Sequence, residues 1–260
     1  MKIGVCCGFD RIEEAAEIGF DYVELNFASL AQIDDDTYNS LLINIKTKGI
    51  KCEAANCFFP GEYKITGPDI NYDEITKYLK KGFKRAAETG IKTVVMGSGS
   101  ARHIPDGYPY SNGVRDIINV VRNYVAPIAA EYNIDFVFEP LRSAESNIIN
   151  TIKEGGMLAA AIDMPNVGVL GDLFHMHMEG DTYEDIEELK GIFRHAHISN
   201  PTPVNSEHAR IYPANDSEYD YKGFFDALKY IGCERVSIEA ATNNFYDDAT
   251  VALKILKKYK

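Results

Sequence analysis

Short β-branched runs alternate with longer segments of helical period along the whole chain, and the alternation repeats eight times. Successive strands joined by helices pair in parallel, because each helix returns the chain across the face of the sheet. The strands are expected at Lys2 to Cys6, Tyr22 to Asn26, Lys51 to Ala55, Thr93 to Met96, Asp135 to Glu139, Val167 to Asp172, Phe193 to Ser199 and Arg235 to Glu239. Four boundaries repeat one phrase, from helix end through glycine into strand: EIGFDYVEL, KGIKCEAA, ETGIKTVVM and YIGCERVSIEA. Glycine supplies the left-handed conformation at which helices end. An open doubly wound sheet has the same local pattern. The length of 260 residues matches the ~250 of an eightfold barrel, so the expected fold is α/β, a single (β/α)8 TIM barrel over residues 1–260.

The helices follow the same logic. Asn71 can cap the third, with Glu74 completing a capping box, and Ile75, Leu79, Phe83 and Ala86 recur on one face before Gly90. The fourth is expected to start at Ser111 and to turn Ile117, Val121, Tyr124, Val125 and Ile128 inward. The irregular stretches Phe58 to Asp69, Gly97 to Tyr110 and Asn200 to Asp220 all follow strands, at the end where barrels build active sites.

Charge narrows the function. A net charge of −12, with lysines dispersed singly or in pairs, disfavours nucleic acid and anionic membrane surfaces as partners. The apolar run after Met1 and Lys2 is too short for a secretory signal, and no stretch approaches the ~20 apolar residues of a membrane span. Five cysteines without a CxxC pair suit a reducing compartment, so a soluble, cytoplasmic protein is expected. Cys6, Cys52 and Cys233 read as small packing residues, and Cys57 as the best placed thiol for any chemistry.

Glu139, Asp172, His197 and Glu239 each close a strand, at separations of 33, 25 and 42 residues that assign them to different strand and helix units. Alternation along a strand turns these ends into the barrel mouth, with Val137, His195 and Ser237 one layer below Glu139, His197 and Glu239. Glu24 faces the same mouth. Three converging carboxylates repel one another unless a cation lies between them. Three oxygen donors and one imidazole suit Mn²⁺ best, with Co²⁺, Mg²⁺ or Fe²⁺ as alternatives, rather than a closed structural zinc site.

The phrases EPL (Glu139 to Leu141), GDLFHM (Gly171 to Met176), HAHIS (His195 to Ser199) and SIEA (Ser237 to Ala240) resemble the xylose-isomerase-like barrel superfamily, in its sugar phosphate isomerase/epimerase branch. The similarity spans essentially the whole chain and is strongest toward ketose 3-epimerases. It implies that Glu139, Asp172, His197 and Glu239 hold the metal, that Glu139 and Glu239 exchange a proton with a sugar through a metal-stabilised enediolate, and that His175 and Glu145 bind substrate. The family's substrate arginine falls on Pro203 here, and Arg210 is the nearest counterpart. The resemblance further implies a small-molecule sugar substrate and a homo-oligomer, dimer or tetramer.

Other features compete for roles. Gly97 to Arg102 (GSGSAR) could cradle an anion through backbone N–H groups and Arg102, although it is not a P-loop. His103 and His177 are further acid/base candidates, and Phe9, Phe58, Phe59, Tyr108 and Tyr110 could form a sugar platform in a chain without tryptophan. A metal-dependent lyase of the inosose dehydratase or C-glycoside deglycosidase type would use the same quartet. A barrel endonuclease would need histidines from early strands, and none precedes His103. A non-enzymatic sugar-binding protein would need no ionisable groups around the ion.

Overall fold

A computed structural model describes residues 1–200, 210–217 and 219–260. Eight parallel strands close a barrel in chain order: β1 (Lys2–Cys6), β2 (Tyr22–Asn26), β3 (Lys51–Asn56), β4 (Thr93–Met96), β5 (Asp135–Phe138), β6 (Val167–Asp172), β7 (Phe193–Ile198) and β8 (Arg235–Ile238). The expected closed barrel is therefore the observed one. No helix among the described residues is long and apolar enough to cross a membrane.

The glycines of the four repeated phrases, Gly19, Gly49, Gly90 and Gly232, each terminate a helix with φ between 70° and 100°. The helix Tyr72–Thr89 is capped by Asn71, whose side chain accepts from the Glu74 amide, and it buries Ile75, Leu79, Phe83 and Ala86. Each such large apolar side chain contributes roughly 1.5–3 kcal/mol on leaving water. The next helix departs from expectation. It starts at Tyr110 behind Pro109 with no side-chain cap, and a π turn at Val121–Val125 interrupts it before Ala126–Glu131. Tyr124 is consequently only half-buried and stacks on Tyr72, with ring centroids 5.0 Å apart.

The main apolar core lies between the barrel and its helices, whereas Val95, Val137 and Leu170 form a separate cluster. Those three residues belong to the inward-facing layer below the mouth. Two register irregularities tune that layer. The pairing skips Glu53 opposite the Val23/Glu24 step, and skips Arg194 opposite the Val169/Leu170 step. The second shift sets Leu170 beside His195 and Asp172 beside His197. Because side chains alternate with a period of two, one residue of slippage would have turned Asp172 away from the histidines.

Candidate metal centre and active site

The strand ends deliver their side chains from four directions. Asp172 closes β6 and His197 is the penultimate residue of β7, whereas Glu139 and Glu239 lie one residue beyond β5 and β8, a small correction to the expected strand bounds. One donor atom from each of Glu139, Asp172, His197 and Glu239 falls within 4.8 Å of the other three. Nδ1 of His197 stands 3.1 Å from Oε1 of Glu139 and 3.3 Å from Oε2 of Glu239. On its other side, Nε2 donates to Oε1 of Glu24 at 2.9 Å.

Clearance for Glu139 comes from the chain opposite. A Cβ on Gly97 would lie 2.5 Å from Oε2 of Glu139, so only glycine leaves the carboxylate its position. Glu239 is held by Asn56 at the end of β3, whose Nδ2 donates to Oε1 at 2.8 Å. Asn56 was not singled out from sequence, because the expected third strand stopped at Ala55. Its polar side chain within an otherwise apolar strand end was the available signal.

Electrostatics in this pocket follow from burial. Burial pushes the Glu139 carboxyl up, Glu239 pushes it further, and the His197 imidazole offsets only part. Burial also raises Asp172, against the Arg210 guanidinium. For Glu239 the balance reverses: burial alone would raise it, but Arg210 and His197 hold it well below the usual carboxylate range. Burial opposes the His197 imidazolium, yet Glu24, Glu239 and Glu139 together raise its pKa well above the ordinary value. One buried oxygen is left over. Oδ1 of Asp172 accepts from the Phe174 amide at 2.7 Å, whereas Oδ2 receives no hydrogen bond among the described residues.

That donor set fits a divalent cation. Hard carboxylate oxygens with one imidazole match Mn²⁺, Mg²⁺, Co²⁺ or Fe²⁺, and the unsatisfied Asp172 oxygen is the kind of atom a cation would engage. Cys6 also comes close, its sulfur lying with donor atoms of Glu24 and His197 in a cluster within 4.8 Å. The packing role expected for Cys6 is thus corrected to a half-buried position at the site.

Arg210 reaches the same mouth. Its guanidinium contacts Glu239 and His175, lies 3.6 Å from Oδ2 of Asp172, and approaches Glu145 at 3.9 Å. His175 accepts at Nδ1 from the Arg142 amide at 3.0 Å, and burial together with Arg210 lowers its pKa to about 2. It is therefore a neutral imidazole. Glu145 accepts from Nε of Arg142 at 2.6 Å at the rim. The residues expected to bind substrate therefore converge on one face of the quartet. Pro203 lies outside the described residues.

Other expectations are corrected. Arg102 is completely buried, and its guanidinium is turned toward protein groups rather than toward the loop's surface. It donates to the carbonyls of Met96, Glu139 and Ile149 at 3.3, 2.8 and 3.1 Å, and to Ser146 Oγ at 3.2 Å, tying the loop after β5 to β4. That loop is strained, since Ile149 is a buried β-branched residue at φ +62°. His103 and His177 are exposed, facing Asn147 and Tyr219. Phe58 and Phe59 are buried in an aromatic cluster with Phe27, Tyr63, Tyr78, Phe83 and Phe136 rather than free to meet a sugar. Tyr110 lines an apolar groove with Met157 and Leu158 on the helical layer instead.

Three comparisons place these observations. A probable ketose 3-epimerase of Synechocystis sp. is 29% identical over 175 residues, covering 64% of this chain and 57% of that relative's own length. A D-psicose 3-epimerase solved with D-tagatose, from Clostridium cellulolyticum H10, shares the fold with a TM-score of 0.82 at 21% identity, covering 100% of this chain and 99% of that one. The IOLI protein, solved with a zinc atom, superposes with a TM-score of 0.76 at 18% identity, covering 100% of this chain and 99% of that one. The family pattern described as xylose isomerase-like TIM barrel matches residues 12–259, and the chain belongs to that family.

Proposed function

We propose that the chain is a divalent-metal-dependent sugar epimerase or isomerase, acting on a ketose or a related polyol-ketone. The observation that carries this reading is the placement of Glu139 and Glu239 on the same side of His197, both within 3.3 Å of its Nδ1, in a pocket that also holds Asp172. The ketose 3-epimerase relative supports the substrate class. Glu139, Asp172, His197 and Glu239 would hold the ion. When bound, a divalent cation supplies positive charge for the oxygens that become anionic in an enediolate, worth several kcal/mol.

The rest of the chemistry belongs to the chain. One of the two glutamates takes the proton from the carbon beside the ketone, and the other returns a proton from the opposite face. Arg210 and the neutral His175 stand on the same rim, where they orient substrate oxygens by hydrogen bonding, with Glu145 behind them. Burial of Glu139 keeps bulk water away from the enediolate, so the returned proton comes from the second glutamate, which exchanges with solvent between turnovers.

Turnover of a panel of ketoses, inososes and glycosides by Mn²⁺-loaded protein in D₂O tests the reading. Deuterium at a single carbon of an epimerised or isomerised ketose is the expected outcome. Loss of water or of an aglycone, with no sugar interconversion, would replace it with an elimination reaction. No turnover of any sugar, at full metal content, would contradict an enzymatic role.

A further inference from the structure

Glu24 sits at the centre of a closed hydrogen-bond set beneath the candidate metal centre. Its Oε1 accepts from Nε2 of His197 at 2.9 Å, and its Oε2 accepts from Nε2 of His195 at 2.8 Å and from the Ser237 hydroxyl at 2.5 Å. Ser237 accepts in turn from the Tyr22 hydroxyl at 2.8 Å. All five side chains are completely buried and come from β2, β7 and β8. An ionised carboxylate has only lone pairs to offer, so each of these contacts fixes the partner as the donor. The imidazoles of His197 and His195 hold Glu24 ionised even though burial alone would raise it.

The consequence lies on the far side of the His197 ring. A hydrogen at Nε2, held by Glu24, leaves Nδ1 aimed between Glu139 and Glu239, and a cation that displaces the Nδ1 proton facing those carboxylates would meet the Nδ1 lone pair. We propose that Glu24 is a positioning residue, which fixes His197 in the tautomer and ring orientation that present Nδ1 to a divalent cation. This inference rests on the reading of Glu139, Asp172, His197 and Glu239 as a metal centre. The His195, Ser237 and Tyr22 contacts prevent the carboxylate from rotating, so the ring it holds cannot turn either. Histidine ligands commonly need such a partner, and losing it costs about 10- to 100-fold in metal affinity.

Glutamine is the discriminating replacement, because it keeps the shape while one oxygen becomes an NH₂. Wherever that NH₂ points, it faces an N–H or O–H that previously donated to Glu24. Calorimetric titration of metal-stripped full-length protein with Mn²⁺ would compare the unaltered chain, Glu24→Gln and Ser237→Ala. The expected result is one site in the unaltered protein, a Kd raised about 10- to 100-fold in Glu24→Gln, and a rise of a few-fold in Ser237→Ala. Nitrogen-15 spectra of the Zn²⁺-loaded unaltered protein should show His197 protonated at Nε2 and bound through Nδ1. Mn²⁺ affinity in Glu24→Gln within twofold of the unaltered protein, or a ring bound through Nε2, would overturn the positioning role. If Glu24→Gln fails to fold, unchanged affinity in Ser237→Ala overturns it instead. Absence of Mn²⁺ binding by the unaltered chain would overturn the metal-centre reading on which it rests.

Discussion

At the N-terminal end of the barrel, Glu53 accepts from Lys2 at 2.6 and 2.7 Å and lies 3.5 Å from Arg235, which also reaches Thr93 Oγ at 3.1 Å. At the C-terminal end, Glu24, Glu139, Asp172 and Glu239 crowd around His197 and His195, with Arg210 at the edge. The first cluster sets one carboxylate against two permanent cations and closes on itself. The second gathers four carboxylates and still leaves an Asp172 oxygen without a hydrogen bond among the described residues. Burying like charges together is costly unless something neutralises them. Crowded carboxylates at one end and paired charges at the other separate the end that would work from the end that holds the barrel together.

Substitutions at the two ends should therefore fail in different ways. The largest effect is expected for Glu139→Gln, which keeps the shape but removes a proton-transfer group: turnover of the best ketose should fall by about 10²- to 10⁴-fold at saturating metal. Retention of more than a tenth of the activity would mean that Glu139 takes no part in the chemistry. Gly97→Ala should act through that same carboxylate, since the new methyl would sit 2.5 Å from Oε2 of Glu139. A loss of about 10- to 100-fold in kcat is predicted, because small misplacements of a reacting group are expensive. Circular dichroism should show an intact fold. At the opposite end, Glu53→Gln should lower stability by about 1–2 kcal/mol in urea unfolding, as Arg235 loses its buried partner. Sugar turnover should not change, and a drop in kcat there would erase the distinction between the ends.

The barrel was legible because its signals are local and repeated. Glycine after a helix and alternation within a strand need no tertiary information, and four helix ends at Gly19, Gly49, Gly90 and Gly232 follow directly. The convergence of the quartet was legible for a related reason: once the strands are in phase, their last residues can only meet at the mouth. What the alternation left open was register. The skipped residues opposite Val23/Glu24 and Val169/Leu170 depend on how neighbouring strands pair, and they bring Glu24 and Asp172 into line with the histidines. Arg102 was misread as an anion ligand because its burial depends on a loop more than 35 residues away, which folds back to offer the Glu139 and Ile149 carbonyls at sequence separations of 37 and 47. Asn56 escaped notice for a similar reason, since its partner Glu239 is 183 residues distant.

Anomalous diffraction from crystals grown with Mn²⁺ bears most directly on the proposed metal centre. One peak is predicted in the barrel mouth, within bonding distance of Nδ1 of His197 and of carboxylate oxygens from Glu139, Asp172 and Glu239. A map with no peak there, or with manganese bound elsewhere while Arg210 remains against Glu239 and Asp172, would contradict it.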